Sequence, residues 1–467
     1  MKSLTSIAPT PEQLKIITDY KAGPLVVRGA AGSGKTTTAL LRLKFLKTIW
    51  ARRKKLLALP DPVRILVLTF NRTLRGYVKA LIEDQVKASP DVQIEVLTAA
   101  KWAMSRLGHP ELVDNSAQTK VIGTLSPGLP FSANFLASEV QYVMGRYLPG
   151  DLSKYLTAKR GGRGASPVVE ASARAKILDV VIPNYNAWKK KVGLVDWNDI
   201  SVQLATTDPA IRYDVVVIDE AQDFAANQIR AIQNHLQPEH SVTFVLDSAQ
   251  RIYPRFFGWS EVVLVINNSN MKRLERNHRN TKQVAALARS IIGNLQVDDD
   301  GTLPDLKSST KTGPLPLLLT GKYSDQVAYA LNYLGSNVDL AEESVAFLHP
   351  LAGGWLDYLR GRLANANRPW VELTRDPEWP EGPENIALST LHSVKGLEFD
   401  HVIVLGLNDQ VTPHGAEEGD DQLEVLRRLL AMAVGRARKM VVLGYKPGEA
   451  SDLIEFIDPG TVSVVDV

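Results

Sequence analysis

The segment GAAGSGKT at 29–36 has the residue types and spacing to hold a chain of phosphates. Its glycines let the backbone turn so that successive N–H groups point inward, and a helix starting behind it adds the positive end of its dipole. The pattern G-x-x-x-x-G-K-[ST] is complete, follows a short β-branched run and opens a helical stretch, which is the context it requires. Lys35 would then reach the β and γ phosphates, and Thr36 would ligate Mg²⁺. The plainer reading is a glycine-rich strand-to-helix turn with no nucleotide. A second chemical pair, Asp219 and Glu220, ends the run YDVVVID. A carboxylate at the tip of a buried parallel strand lies on the face where open α/β sheets bind ligands. Asp219 is therefore the expected Mg²⁺ partner, and Glu220 the group to orient or deprotonate an attacking water. Taken singly, either acid would serve as a helix cap; beside the phosphate loop the pair describes a nucleoside triphosphatase.

Such a site needs parallel strands to hold the loop and the acids at one sheet edge. Short β-branched runs do alternate with longer helical patterns along the chain, the signature of a parallel sheet covered on both faces. Residues 24–28, 63–69, 94–98, 213–219 and 242–247 form one set of expected strands, and 315–319, 344–348, 386–390, 401–406 and 440–444 a second. Two similar α/β units are expected. Within the first set, residues 99–211 lack a buried strand and read as helical, broken by turns around 127–130 and by the basic loop KRGGRG at 159–164. A stretch that long is too large for an ordinary loop. The expected division is a first α/β domain at 1–98 and 206–275, a helical insertion at 99–205, and a second α/β domain at 276–467.

The 467 residues include 54 Lys or Arg and 51 Asp or Glu, a net charge of +3, with 45% hydrophobic residues. That excludes a histone-like polycation and a disordered chain, and any basic surface for nucleic acid must be local. Residues 101–205 hold 13 basic and 8 acidic residues, net +5, against −2 elsewhere. This is either a helical subdomain with solvated charges or an arm facing nucleic acid. RRKK at 52–55 reads as a solvated loop, DDDG at 298–301 as a turn and EEGDD at 417–421 as an exposed acidic loop. The absence of cysteine removes disulfides, Cys zinc sites, iron–sulfur clusters and thiol catalysis, and fits a reducing compartment. The first residues, MKSLTSIAPTPEQLK, are too polar for a signal peptide, and no run of about 18 apolar residues is present to span a membrane. A cytoplasmic protein with no membrane partner is expected.

Six further segments complete the chemical pattern: TPEQLKII at 10–17, TFNRTLR at 69–75, LDSAQRIY at 246–253, LERNHRNT at 274–281, TLHSVKGLEFD at 390–400 and RRLLAMAVGRAR at 427–438. In this order, with the phosphate loop and acidic pair between them, they resemble the motifs of the UvrD/Rep-type superfamily 1 DNA helicases. The resemblance implies two RecA-like parallel-sheet P-loop NTPase domains, α/β in class, with a mainly helical insertion in the first. It implies ATP and Mg²⁺ as cofactors. Gly29, Ala30, Ala31, Gly32, Ser33, Gly34, Lys35, Thr36 and Thr37 would then cradle the nucleotide, and Gln13 would read adenine, since an amide bonds N6 and N7 together. Gln250 would sense the γ phosphate, Arg279 would contact the triphosphate, Glu398 the ribose, and Arg436 would act as an arginine finger. Lys395 and Gly396 would shape the turn before Glu398. His278 stands where the family commonly stacks an aromatic on adenine, and Gly435 where it typically has Thr.

The same resemblance places single-stranded nucleic acid against Phe70, Asn71, Arg72, Tyr253, Thr390 and His392. The family's Trp-Arg pair after the tyrosine is replaced by PRFFGW at 254–259, which leaves Phe256, Phe257 or Trp259 as alternatives for the stacking role. The phosphate loop and acids lie in the first unit and Arg279, Glu398 and Arg436 in the second, so hydrolysis would open and close the two and drive translocation. The expected partner is single-stranded or tailed duplex DNA, with 3′ to 5′ polarity by family analogy and RNA equally able to satisfy backbone tracking and stacking. DNA repair is one of several pathways served by such an engine. Residues 281–385 are too few for the second insertion of larger relatives, which is expected to be absent or vestigial. A different class of function uses the same ATP residues: an ATP-gated regulatory subunit that clamps nucleic acid and recruits a protein partner such as a nuclease or repair factor. A P-loop kinase or metabolic NTPase would have no use for 390–400 or Arg436.

Overall fold

The computed structural model describes residues 9–29, 32–59, 61–69, 75–76, 78–79, 82, 90–158, 160, 168–246, 258–262, 264, 266–267, 269–275, 277, 279–293, 295, 309, 311–351, 353–373, 380, 382, 384–415 and 422–467. Two parallel sheets organise them, in an α/β fold. The first has six strands: β1 (Gly23–Gly29), β2 (Val63–Thr69), β3 (Val92–Thr98), β4 (Tyr213–Ile218), β5 (Leu236–Leu246) and β6 (Met271–Leu274), in the order β3-β2-β4-β5-β1-β6. The second has seven: β7 (Leu317–Thr320), β8 (Val345–His349), β9 (Val371–Glu372), β10 (Ile386–Thr390), β11 (Phe399–Val404), β12 (Ala437–Tyr445) and β13 (Ser463–Asp466), in the order β13-β7-β12-β11-β8-β10-β9.

The apolar runs explain the central strands. All six residues of β4 and all six of β11 are buried, as a parallel sheet covered on both faces requires. Three strands lie outside the sequence expectation. β6 carries MKRL, β9 has two residues, and β13 is an edge strand with Val464 exposed, so none presents a buried β-branched run. β5 also starts earlier than expected, at Leu236, through the polar residues QPEH.

The helix Lys35–Leu56 lays Leu43, Leu46 and Trp50 on the first sheet. It continues through RRKK at 52–55, which is therefore helical rather than a loop; three of those cations sit in its last turn, where the helix dipole favours them. The expected turn at 298–301 and acidic loop at 417–421 lie outside the described residues.

The helical segment divides by its cores at a different place from 99–205. Trp102 and Ala103 of the helix Ala99–Arg106, and Ile200 and Leu204 of the helix Trp197–Thr206, pack with Phe224 and Phe244 of the first sheet's own core. A separate core holds Ile122, Val140, Val143, Tyr155, Ile177 and Tyr185. The flanking helices thus cover the sheet, and the part between them has a core of its own. Among the described residues 282–373, the helices Lys282–Ile292, Tyr323–Asn337 and Gly354–Asn365 all cover the second sheet, and none builds a separate core. No helix among the described residues is long and apolar enough to cross a membrane.

Candidate active site

The strand order sets the site. β1 and β4 flank β5, so the loop after β1 and the acids after β4 meet at the carboxyl edge of one sheet. They open on a cleft whose lining comes from both units: Gly32, Gly34, Lys35, Thr36, Thr37, Asp219 and Glu220 from the first, and Arg279, Gly396, Glu398 and Arg436 from beyond it.

Gly32 and Gly34 have φ of 81° and 76°, a region that disfavours side chains. Space requires glycine as well. A Cβ at Gly32 would stand 2.3 Å from Asn277 Oδ1, and one at Gly34 would stand 2.5 Å from Gln13 Nε2. Gln13 is buried against the loop, and its Oε1 accepts from Thr10 N at 2.9 Å in a capping box. Ser33 is buried with no hydrogen-bond partner for its Oγ, an orphaned donor that fits an incoming phosphate oxygen. Lys35 Nζ donates to Gly29 O at 2.7 Å, folded back over its own loop.

Thr36 Oγ1 donates to Asp219 Oδ2 at 3.0 Å, so the two expected Mg²⁺ ligands already touch. Two protein oxygens are a small set, as suits an ion that completes its octahedron with water and phosphate. Burial, and next the charge of Glu220, push the Asp219 carboxyl up to about 7. Burial acts the same way on Glu220, but the nearby cations Lys395, Arg436 and Lys35 outweigh it and hold that carboxyl below its ordinary range. Environment thus separates two adjacent acids, one protonated near neutrality and one charged. Glu220 also has φ of 54°, an uncommon backbone for a non-glycine residue, and Gln222 Nε2 donates to its Oε2.

The second unit supplies cations. Arg436 is buried, with Nη2 4.0 Å from Glu220 Oε1 and Nε donating to Met432 Sδ at 3.2 Å. Arg279 forms an ion pair with Glu398. The residues assigned to triphosphate and ribose are therefore partners of each other, and Arg279 keeps Glu398 ionised against the effect of burial. Lys395, expected only to shape a turn, reaches across to the first unit: Nζ lies 2.5 Å from Asp223 Oδ2 and 3.7 Å from Glu220 Oε2. The signal for it in the sequence is Asp223 itself, a third acid in DEAQD for which the motif reading has no partner.

Of the residues expected to face a strand, Thr390, His392 and Trp259 are described. Thr390 ends β10, and its Oγ1 lies 3.0 Å from Ser393 Oγ; His392 is exposed beyond it. Trp259 is not a free platform, because its ring packs edge-on against Phe244 at 5.0 Å. Ala30, Ala31, Phe70, Asn71, Arg72, Gln250, Tyr253, Phe256, Phe257 and His278 lie outside the described residues. Several cations of the insertion are engaged within the protein. Arg146 is bidentate to Glu261, Arg160 to buried Glu139, Lys189 pairs Asp196, and Arg174 donates to the carbonyls of Tyr155, Ala158 and Val169. Lys101, Lys120, Lys190 and Lys191 are among the cations left exposed.

Comparison with known proteins agrees with this geometry. A family model described as an AAA domain matches residues 13–255, over half of the chain, and the UvrD-like helicase C-terminal domain matches residues 372–447. The chain is similar to the ATP-dependent DNA helicase UvrD2 of Mycobacterium tuberculosis (strain ATCC 25618 / H37Rv), at 24% identity over 421 residues covering 66% of this chain and 59% of that protein. It is also similar to the ATP-dependent DNA helicase Rep of Buchnera aphidicola subsp. Schizaphis graminum, at 41% over 66 residues, 14% of this chain and 10% of that one. A third relative is the ATP-dependent DNA helicase PcrA of Staphylococcus aureus (strain MRSA252), at 30% over 76 residues, 16% and 10%. The chain thus spans 59% of the length of its mycobacterial relative.

Proposed function

The chain belongs to the UvrD/Rep-type superfamily 1 DNA helicases, and from that premise we propose that it hydrolyses ATP with Mg²⁺ to translocate on single-stranded DNA, 3′ to 5′ by family analogy. One observation carries the reading: Arg436 and Lys395 from the second unit meet Glu220 and Asp223 of the first, so neither unit alone assembles the cation and carboxylate set. Thr36 and Asp219 would hold the metal, whose charge screens the β and γ phosphates. Glu220 would take the proton of the attacking water, and Ser33 would donate to a phosphate oxygen. Arg436 would stabilise charge on the transferring phosphoryl group. For Arg279 to serve the triphosphate, its pair with Glu398 must open. Closure of the units on ATP and release after hydrolysis would then be read out as stepping along the strand held near Thr390 and His392.

A second reading is favoured by the lack of a separate core among described residues 282–373: an ATP-gated subunit that clamps a strand and works with a nuclease or repair factor rather than unwinding processively. Both readings require Lys35→Ala to abolish strand-stimulated ATPase activity. Strand displacement on 3′- and 5′-tailed duplexes, with turnover measured against single-stranded DNA and RNA of increasing length, separates them. Turnover that no strand stimulates would sink both.

A further inference from the structure

The helix Gln422–Val434 passes into β12 through Gly435 and Arg436, so the guanidinium that approaches Glu220 is carried on a short helix-to-strand turn. The end of a helix leaves carbonyls that need partners, and two of them here are taken by one side chain. Asn280 Nδ2 donates to Gly435 O at 3.0 Å and to Ala437 O at 2.5 Å, the carbonyls on either side of Arg436. The carbonyl of Arg436 itself accepts from Phe399 N at 3.0 Å. All three carbonyls from 435 to 437 are therefore engaged, and Gly435 has no side chain with which to anchor the turn.

The Asn280 carboxamide is fixed in its own right. Its Oδ1 accepts from Asn277 Nδ2 at 3.0 Å, so turning the amide over would set Oδ1 against two carbonyl oxygens and Nδ2 against a donor. Asn280 is 2% exposed and Asn277 1%. Asn277 Oδ1 accepts from Arg279 N at 3.0 Å and from Asn280 N at 3.1 Å, and it is the atom that a Cβ at Gly32 would meet. One chain of contacts thus runs from the phosphate loop through Asn277 and Asn280 to the backbone that carries Arg436. A buried amide is costly unless its bonds are made, so a residue that only filled this space would be apolar. Both donors of Asn280 are instead directed at the turn that aims one arginine.

We propose that Asn280 is the positioning residue of Arg436, its carboxamide holding the turn that presents the guanidinium and Asn277 locking that carboxamide against the phosphate loop. This rests on the role of Arg436 proposed above. A guanidinium at the end of a long side chain is displaced when its backbone turns, and a misplacement of ~1 Å can cost about 100-fold in rate.

The test measures steady-state ATP hydrolysis by the full chain with saturating single-stranded DNA, below the melting midpoint of each variant. Asn280→Ala removes the side chain; Asn280→Leu keeps its volume and branching and removes both donors. Each should lower kcat on the order of 100-fold, with KM for ATP within about threefold of wild type. In the Arg436→Ala background the same substitutions should lower kcat by less than about twofold, because a residue that acts through Arg436 has nothing left to position. Asn277→Ala leaves the Asn280 amide in place but free to turn over, and should give a smaller loss that also vanishes in that background, which decides the matter if the Asn280 variants do not fold. Restoration of kcat by Asn280→Leu would reduce the residue to filling space and overturn the inference. Losses of equal size in both backgrounds, or a raised KM with kcat unchanged, overturn it too. Arg436→Ala that hydrolyses ATP at the wild-type rate overturns the role of Arg436 itself.

Discussion

Lys395 and Asp223 form a buried ion pair between the two sheets, Nζ to Oδ2 2.5 Å, joining the turn after β10 to the acids after β4. Glu220 lies 3.7 Å from the same ammonium. One lysine thus pairs with Asp223 and helps keep charged the acid that would act on water.

Removing one partner of a buried pair leaves an uncompensated charge and typically destabilises by about 3–5 kcal/mol. Lys395→Met should therefore lower the melting temperature and reduce strand-stimulated ATPase activity. Lys395→Met with Asp223→Asn should recover most of the melting temperature and not the activity. Full recovery of both in the double variant would reduce the pair to a structural role.

Asp219 provides a pH dependence. Its folded carboxyl titrates at about 7 against an ordinary 3.8, so between those values the folded protein holds a proton that the unfolded chain has released. The stability it contributes is complete below about pH 4 and is lost as pH rises through 7. Without metal, the melting temperature should fall across that window, and Asp219→Asn should flatten the fall. Mg²⁺ needs the ionised form, so metal affinity should rise up to pH 7 and then level; an unchanged melting profile in Asp219→Asn would contradict the assignment.

Arg436 is expected to act on the rate rather than on nucleotide binding. Arg436→Ala should lower kcat by about 10³-fold or more with KM for ATP little changed, as for an arginine presented in the transition state. Arg436→Lys should not restore it, because an ammonium lacks the planar fork of donors. Steady-state hydrolysis with a saturating strand measures both.

Much of this architecture is legible in local sequence, where local chemistry decides it. β2 and β10 run over 63–69 and 386–390 as their apolar patterns require, and Lys35, Thr36, Asp219, Glu220, Arg279, Glu398 and Arg436 line one cleft. Edge strands such as β6 and β13 leave no such pattern, because a half-exposed strand is held by its neighbour's hydrogen bonds rather than by its own side chains. Pairings across the chain are equally hidden. Nothing near Lys395 in sequence points to Asp223, and Arg279 and Glu398 are 119 residues apart. Charge is the most misleading quantity, since a net of +5 over 101–205 does not distinguish a buried arginine from a solvated one.

Arg160 makes that last point testable. It belongs to the basic loop at 159–164, yet its guanidinium donates through Nε and Nη2 to the two oxygens of Glu139, each at 2.8 Å, and Glu139 is fully buried and also accepts from Tyr155 OH at 2.6 Å. Arg160→Ala would strand that carboxylate in an apolar core and should destabilise the helical subdomain by about 3–5 kcal/mol. Because the guanidinium already has its anion, the salt slope of strand binding should not change. Lys190 and Lys191, exposed at the end of the helix Ile182–Val192, should behave oppositely. Replacing both by Ala should leave the melting temperature near wild type and lower the salt slope by about one for each phosphate no longer neutralised. Thermal melting and a salt series on the three variants separate the two kinds of cation, and a reduced slope in Arg160→Ala would show that its pair with Glu139 opens to the strand.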